Sequence, residues 1–567
     1  MRTSIVMKLY SQLTSIDFLL FALKNASASN DTIIYVFVYN PLAQNRSTTI
    51  RLPVASEAMF RVERIDAGDN VKFYPSVVKD PHLTSGTTKQ YELVFSTGLL
   101  PPLGIVIFSI IKEADHDLVP MNIATSDIRT RRLWNDGSRE SLELHNGIIS
   151  ATFDISTGLL TEIREDDVVV LVNQTWGYYT SYDSAFDSTT RSQNSGAYIF
   201  RPSVPDQQLI HLTPKRNAAK FLPTPVGIDV YAFFEEPWVW QVTRIQNNST
   251  YVEVEYIVGP VPIDDERGKE VVARYSTPIK SDEVFFTDSN GREFQKRRRN
   301  HRPTWNLDVI EPVAGNYYPV NAAMYIEDSS SAFAVLVDRS QGGASLNDGS
   351  LEIMVQRRTL ADDSRGVDEP LNETCGGMSP YPPYGLNKRI GDGVVIKGKH
   401  RIRIGKGWNG AGIARSVMDD IFVEPLILIG STTVSNSLSL REDNYKGLVT
   451  PLPENIMLIT FLKLNRCKPT YLLRIGHQFG ANEEKNMSKT EMIDLNVFFA
   501  GKNITLIHEM TISGNQGFNI PQIRRRNLMT NRSKRKQTNL TKLSTLIQIR
   551  PMEIRTFEVS INKQVTQ

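Results

Sequence analysis

The chain has 567 residues, 40% of them hydrophobic, enough to bury several cores in roughly two to four domains. A formal net charge of +2 gives no electrostatic case for a polyanionic partner such as nucleic acid. No stretch approaches the roughly eighteen consecutive apolar residues of a membrane-spanning helix. Two cysteines, Cys375 and Cys467, are too few to staple the fold, and the sequence leaves open whether they pair.

In chain order, Ile5, Leu9, Leu13, Ile16, Leu20 and Leu23 fall at helical spacing, predicting a short amphipathic helix over 1–30. DFLLFAL (Asp17 to Leu23) followed by KNASAS faintly resembles a signal-peptide core and cleavage site, but Arg2, Lys8, Asp17 and Lys24 interrupt it, so the segment reads as the remnant of a preceding domain and not as a signal peptide. The period then changes to two. Ile33 to Val38, Tyr91 to Ser96 and Gly104 to Ile111 predict a small β-sandwich over 31–112, followed by a charged linker over 113–135. Asn146-Gly147, between SLELH and IISATFDIS, predicts a hairpin with a type I′ turn. Alternation recurs at Tyr251 to Val258 and Ala332 to Val337, predicting a large antiparallel β-sandwich over 136–425. Tyr471 to Phe479 and Ile504 to Ile512 belong to a C-terminal β domain over 426–567. The expected fold class is mainly β: antiparallel β-sandwich domains behind a short N-terminal helix. The basic clusters Arg292 to Arg302 and Arg524 to Lys536 lack interleaved aromatics and read as solvated loops.

The chemistry-bearing residues concentrate between Arg302 and Pro370, which holds Trp305, Tyr317, Tyr318, turn glycines and the run QRRTLADDSRG. Asp362 and Asp363 look like the carboxylate pair of a glycosidase, yet neighbours on an extended chain point to opposite faces and cannot straddle one bond. In a turn they accept backbone N–H groups and hold a nearby arginine. Asp115-His116-Asp117 is the other tempting group. None of the eight histidines is followed two residues later by Asp, and neither His-Glu-x-x-His nor Cys-x-x-Cys occurs, so no zinc-ligand spacing is present. His477 reads as a core histidine.

Several blocks then agree in order: VYNPL (Val38 to Leu42), SGAYIFRP (Ser195 to Pro202), RPTWNLDVIEPVAGNYYPVN, DRSQGGASLNDGSLEIMVQRR, DDSRGVDEP, IGHQFG (Ile475 to Gly480) and PMEIRTF (Pro551 to Phe557). Together they resemble the lysosomal-type α-mannosidases, zinc-dependent retaining glycoside hydrolases. The family's His-x-Asp-Pro-Gly-Trp and His-His-Asp motifs, which carry zinc and the nucleophilic Asp in an N-terminal α/β domain, do not occur here. The resemblance therefore implies the C-terminal β-rich portion, without catalytic or metal residues of its own and inactive alone. The complete enzyme would bind Zn2+ and remove terminal α-linked mannose from N-glycans.

The resemblance further implies that Tyr198, of the SGAY block, and Arg365, of the DDxRG block, reach the sugar pocket, with Asp362 and Asp363 orienting Arg365. Taken alone, the residues also fit a core tyrosine and a structural ion pair. The implied partners are an N-terminal catalytic half and mannose-containing glycans, with room for a homodimer of the complete enzyme, and neither nucleic acid nor membrane. The alternative is a non-catalytic carbohydrate-binding or scaffolding β-sandwich protein, which would show an ordinary polar surface where the other half would dock.

Eleven Asn-x-Ser/Thr sequons, against a chance expectation of roughly five or six, point with the resemblance to the lysosome or secretory pathway. Asn45, Asn173, Asn247, Asn372, Asn486 and Asn503 are the candidate acceptors.

Overall fold

The structure is a computed structural model that describes residues 32–54, 59–65, 71–73, 76–79, 91–113, 128–135, 139–187, 193–373, 393–433, 447–464, 467–499, 502–517 and 545–563. The expected helix over 1–30, Asp115-His116-Asp117, Cys375 and the cluster Arg524 to Lys536 lie outside them. Period-two patterning becomes antiparallel sheet, and the fold is mainly β as expected. The chain forms two compact units, residues 122–422 and residues 1–121 with 423–567.

Among the described residues, the first of these holds three sheets. A five-stranded sheet runs Val168–Leu171, Leu160–Glu165, Ile149–Asp154, Arg139–His145, Arg129–Asn135. Its edge strand Arg129–Asn135 falls within the stretch read as a linker; Arg129, Thr130, Arg131 and Arg132 are exposed, which is why no apolar alternation marks it. A six-stranded sheet runs Ile210–His211, Asn173–Thr180, Lys269–Ser276, Ser350–Arg358, Gln341–Ala344, Tyr318–Val320, and a nine-stranded sheet spans Lys220–Thr224 to Glu293–Arg298. Phe153, Trp176, Val254, Tyr275, Phe333 and Ile353 come from all three sheets and share one buried core. Burying so many large apolar groups is the main stabilising term here. The helix Gly410–Phe422 covers part of the nine-stranded sheet through Ile413, Ala414, Val417 and Ile421, and the Glu327 carboxylate accepts the Gly410 N–H at 2.9 Å, an anion at the helix start.

Two local expectations are corrected. Around Asn146-Gly147 the hairpin forms, but Gly147 alone has positive φ (95°), so the turn is not type I′. Asn146 is buried: its Oδ1 accepts the N–H of Ile148 and Ile149, and its Nδ2 donates to the carbonyls of Gln246 and Ser249. The side chain replaces the turn geometry. The cluster Arg292 to Arg302 is not a loop throughout, because Glu293–Arg298 is an edge strand. Arg297 and Arg302 lie over the Tyr318 ring, at 4.4 and 5.1 Å from its centroid.

In the second unit, Thr32–Tyr39 sits between Ile105–Lys112 and Leu426–Thr433 in a five-stranded sheet that packs with Thr49–Val54, Ser76–Lys79 and Tyr91–Ser96. The register places Val36 opposite Ile429, so a strand from the segment 426–567 completes a sheet of 31–112. A four-stranded sheet of Ile456–Lys463, Thr470–His477, Ile554–Lys563 and Lys502–Met510 surrounds a second core. His477 is buried there: Nε2 donates to the Lys489 carbonyl at 2.8 Å and Nδ1 accepts the Phe479 N–H at 3.2 Å.

Candidate functional site

At one end of the six-stranded sheet Thr180, Lys269 and Arg358 stand in register, Thr180 opposite Lys269 and Lys269 opposite Arg358. The chain leaving Thr180 carries the SGAY block and the chain leaving Arg358 carries DDSRG, so strand pairing brings two distant motifs to one edge.

Asp363 locks them together. It is buried, and its Oδ2 accepts the backbone N–H of Tyr198 at 2.5 Å and of Ile199 at 2.9 Å, while Oδ1 accepts the N–H of Arg365 at 3.1 Å. A buried carboxylate is tolerated when donors satisfy it in this way. Gly196 makes the approach possible: a Cβ there would lie 2.6 Å from the Asp363 nitrogen. Asp362 faces elsewhere, its Oδ2 accepting the Ser364 N–H at 2.7 Å and its carbonyl the Asn194 amide at 3.0 Å.

Asp363 thus positions Arg365 through the backbone. The Arg365 guanidinium donates instead to Gln193 Oε1 at 2.5 Å, and Arg365 is in no ion pair among the described residues. Gln193 is fixed in turn: its Nε2 donates to the Asp363 carbonyl at 2.5 Å and its own carbonyl accepts from Arg201 at 2.8 Å. Tyr198 is 64% exposed, so it is no core tyrosine. Trp305, equally exposed at 64%, and Ile310 at 53% belong to the segment that leads to Glu311, whose carboxylate pairs with Arg201 at 3.0 Å.

Two buried carboxylates support this rim. Glu270 accepts from Ser195, Ser181 and Arg357, and Arg357 also donates to the Ile199 carbonyl at 2.7 Å. Strand alternation sends the next residue, Arg358, to the other face, where it meets the Val261 carbonyl and Asn372 Oδ1. Glu352 accepts from Tyr179, Tyr317 and Arg274, with Phe200 packed between the two tyrosine rings. Burial, then the Glu352 charge, pushes the hydroxyl pKa of Tyr179 and of Tyr317 far upward, so both remain neutral donors. Burial opposes the charge on Arg274, but Glu352 together with Tyr179 and Tyr317 raises its pKa.

Sequence reasoning singled out Tyr198, Arg365, Asp362 and Asp363 but missed Gln193, Arg201, Glu270, Arg357 and Glu352. The signal available was QRR, since two adjacent arginines on a strand must face two environments. Among the six candidate acceptors, Asn45, Asn173 and Asn486 are exposed. Asn247 donates to the Pro225 carbonyl, Asn372 holds Arg358, and Asn503 lies in the strand Lys502–Met510. Cys467 is exposed. Among the described residues no three His, Cys, Asp or Glu side chains converge to hold a metal ion, and no helix is long and apolar enough to cross a membrane.

This arrangement of antiparallel sheets is a mainly-β fold already seen in solved structures. The fold is similar to that of an alpha-mannosidase from Enterococcus faecalis V583, with a TM-score of 0.55 over 95% of this chain and 57% of the other; at 11% identity the likeness is one of fold. Residues 144–365 match the family model described as Glycosyl hydrolases family 38 C-terminal domain. It is 35% identical over 539 residues to the lysosomal alpha-mannosidase of Mus musculus and 35% over 533 residues to that of Homo sapiens. Each match covers 93% of this chain and 49% of the relative, so the chain spans about half the length of the curated relatives it matches.

Proposed function

We propose that this chain is the C-terminal part of an α-mannosidase acting on terminal α-linked mannose in N-glycan breakdown, and that its loop edge closes one side of the sugar pocket. The observation that carries this reading is the Asp363 clamp, which holds the Tyr198 and Arg365 segments side by side. A phenol can bond a sugar hydroxyl while its ring covers the apolar sugar face, and a guanidinium offers a planar fork of donors. Gln193 holds that fork in place from one side. The Tyr198 hydroxyl has no partner among the described residues and is available to a ligand.

The complementary half is the first partner, and the exposed Trp305, Val309 and Ile310 of the segment leading to Glu311 supply apolar surface for it. That surface favours the enzyme reading over a free-standing scaffold. The described residues do not fit zinc, so on this reading the metal and the nucleophile belong to the other half and no step is routed through them here. The lysosome or secretory route follows from the relatives and the sequons.

The test is hydrolysis of an aryl α-mannoside by the full chain, alone and co-produced with the N-terminal half of a family 38 relative, with and without added zinc. Activity only in the combined sample supports the proposal. Zinc-dependent turnover by the chain alone would overturn it.

A further inference from the structure

A groove of about 770 Å³ lies away from the Tyr198–Arg365 edge, lined by the turn after Ile149–Asp154, by Glu140, by Asn173 and by the Arg216–Asn217 turn. That volume is within the range of roughly 300–1,000 Å³ typical of small-ligand sites. Its walls are held by local bonds. Asp154 Oδ1 accepts from the backbone and hydroxyl of Thr157, and Ser156 Oγ bonds both Asn217 Oδ1 and the Asn217 N–H at 3.2 Å. Arg216 is exposed and forms no ion pair among the described residues. The lining is rich in hydroxyl, amide, carboxylate and guanidinium groups, the set that bonds sugar hydroxyls and acetamido groups.

Asn173 is the first residue of the strand Asn173–Thr180 and is exposed at the groove, with Gln174 buried and Thr175 half-buried. The Thr175 hydroxyl oxygen is shielded from solvent with no hydrogen-bond partner among the described residues. A buried hydroxyl without a partner loses its water and gains nothing, so for folding alone the isosteric valine suits this strand position better. The hydroxyl does have a use in the chemistry of Asn-Gln-Thr, where it completes a glycosylation acceptor.

We propose that Asn173 is N-glycosylated and that the first sugars of its glycan lie in this groove. The inference stands independently of the mannosidase reading, requiring only passage through a glycosylating compartment. Asn45 and Asn486 are exposed too, but they do not line the groove.

The experiment uses the full chain from a eukaryotic secretory host. Glycopeptide mass spectrometry should find Asn173 occupied, and a peptide N-glycosidase should release its glycan from native protein at least tenfold more slowly than any glycan at Asn45 or Asn486, the difference vanishing on denaturation. Thr175→Ser should retain the modification and Thr175→Val abolish it. In unglycosylated protein from a bacterial host, Thr175→Val should raise Tm by roughly 2–4 °C. An unmodified Asn173, or release from native protein as fast as at Asn45, overturns the proposal. A Thr175→Val variant less stable than the parent would show that the hydroxyl serves the fold, and would overturn it equally.

Discussion

The carboxylate of Asp363 accepts the backbone N–H of Tyr198 at 2.5 Å across 165 residues of sequence. Because the same group also accepts from Ile199 and Arg365, its loss frees three N–H groups, two of them belonging to one loop. Asp363→Ala should destabilise the unit holding residues 122–422 by about 3 kcal/mol, measured by denaturant unfolding of the full chain. A change below about 0.5 kcal/mol would mean the clamp is incidental.

Gly196 offers an independent check on the same contact. A methyl group there meets backbone, which cannot swing aside, so Gly196→Ala should cost roughly 2 kcal/mol or more and lower Tm. An unchanged Tm would show that the SGAY loop can move away from Asp363 freely.

In a reconstituted enzyme, Arg365→Ala should reduce kcat/KM roughly tenfold or more, about 1.4 kcal/mol of lost transition-state binding, and Gln193→Ala should give a smaller loss in the same direction. Steady-state kinetics with an aryl α-mannoside would reveal it. Equal activity in wild type and Arg365→Ala removes Arg365 from the pocket.

His400 predicts a pH dependence. It is fully buried between the Tyr275 hydroxyl and Gln341, and burial pushes its pKa from 6.5 down to about 4. The folded chain holds the neutral ring, so below pH 6.5 the unfolded chain binds the proton first. Stability due to this group is fully present above pH 6.5 and is lost as pH falls towards 4, by on the order of 3 kcal/mol. Burial raises the pKa of Glu165 and Glu327, which act in the opposite direction, so the comparison with His400→Gln isolates the histidine. That variant should have a flatter stability profile between pH 7 and pH 4; parallel profiles would refute the assignment.

Chelation provides a further check. Dialysing the full chain against EDTA should leave its Tm unchanged, since the described residues offer no metal cluster. A fall of several degrees that zinc reverses would locate ligands on this chain.

The β class was legible because alternation such as Ile149, Ala151, Phe153 is a local signal, and those three side chains are all buried. Tyr198 and Arg365 were legible only through motif resemblance. Their exposure and the bond from Arg365 to Gln193 were not, because loop contacts depend on which strand ends lie in register. The Asn146 turn misled for a local reason: Asn-Gly favours positive φ, but a buried amide with four bonds outweighed that preference. Arg129–Asn135 hid because an exposed edge strand needs no apolar pattern.

The pairing of Thr32–Tyr39 with Leu426–Thr433 has a consequence for biosynthesis. Every described strand of the unit over 122–422 is synthesised before Leu426–Thr433, the late partner of Thr32–Tyr39. Until then one side of Thr32–Tyr39 offers unsatisfied N–H and C=O groups to any neighbouring chain. Closing so long a span is also entropically slow. A nascent-chain binder that shields residues 32–39 should therefore improve yield more than one acting anywhere within 122–422.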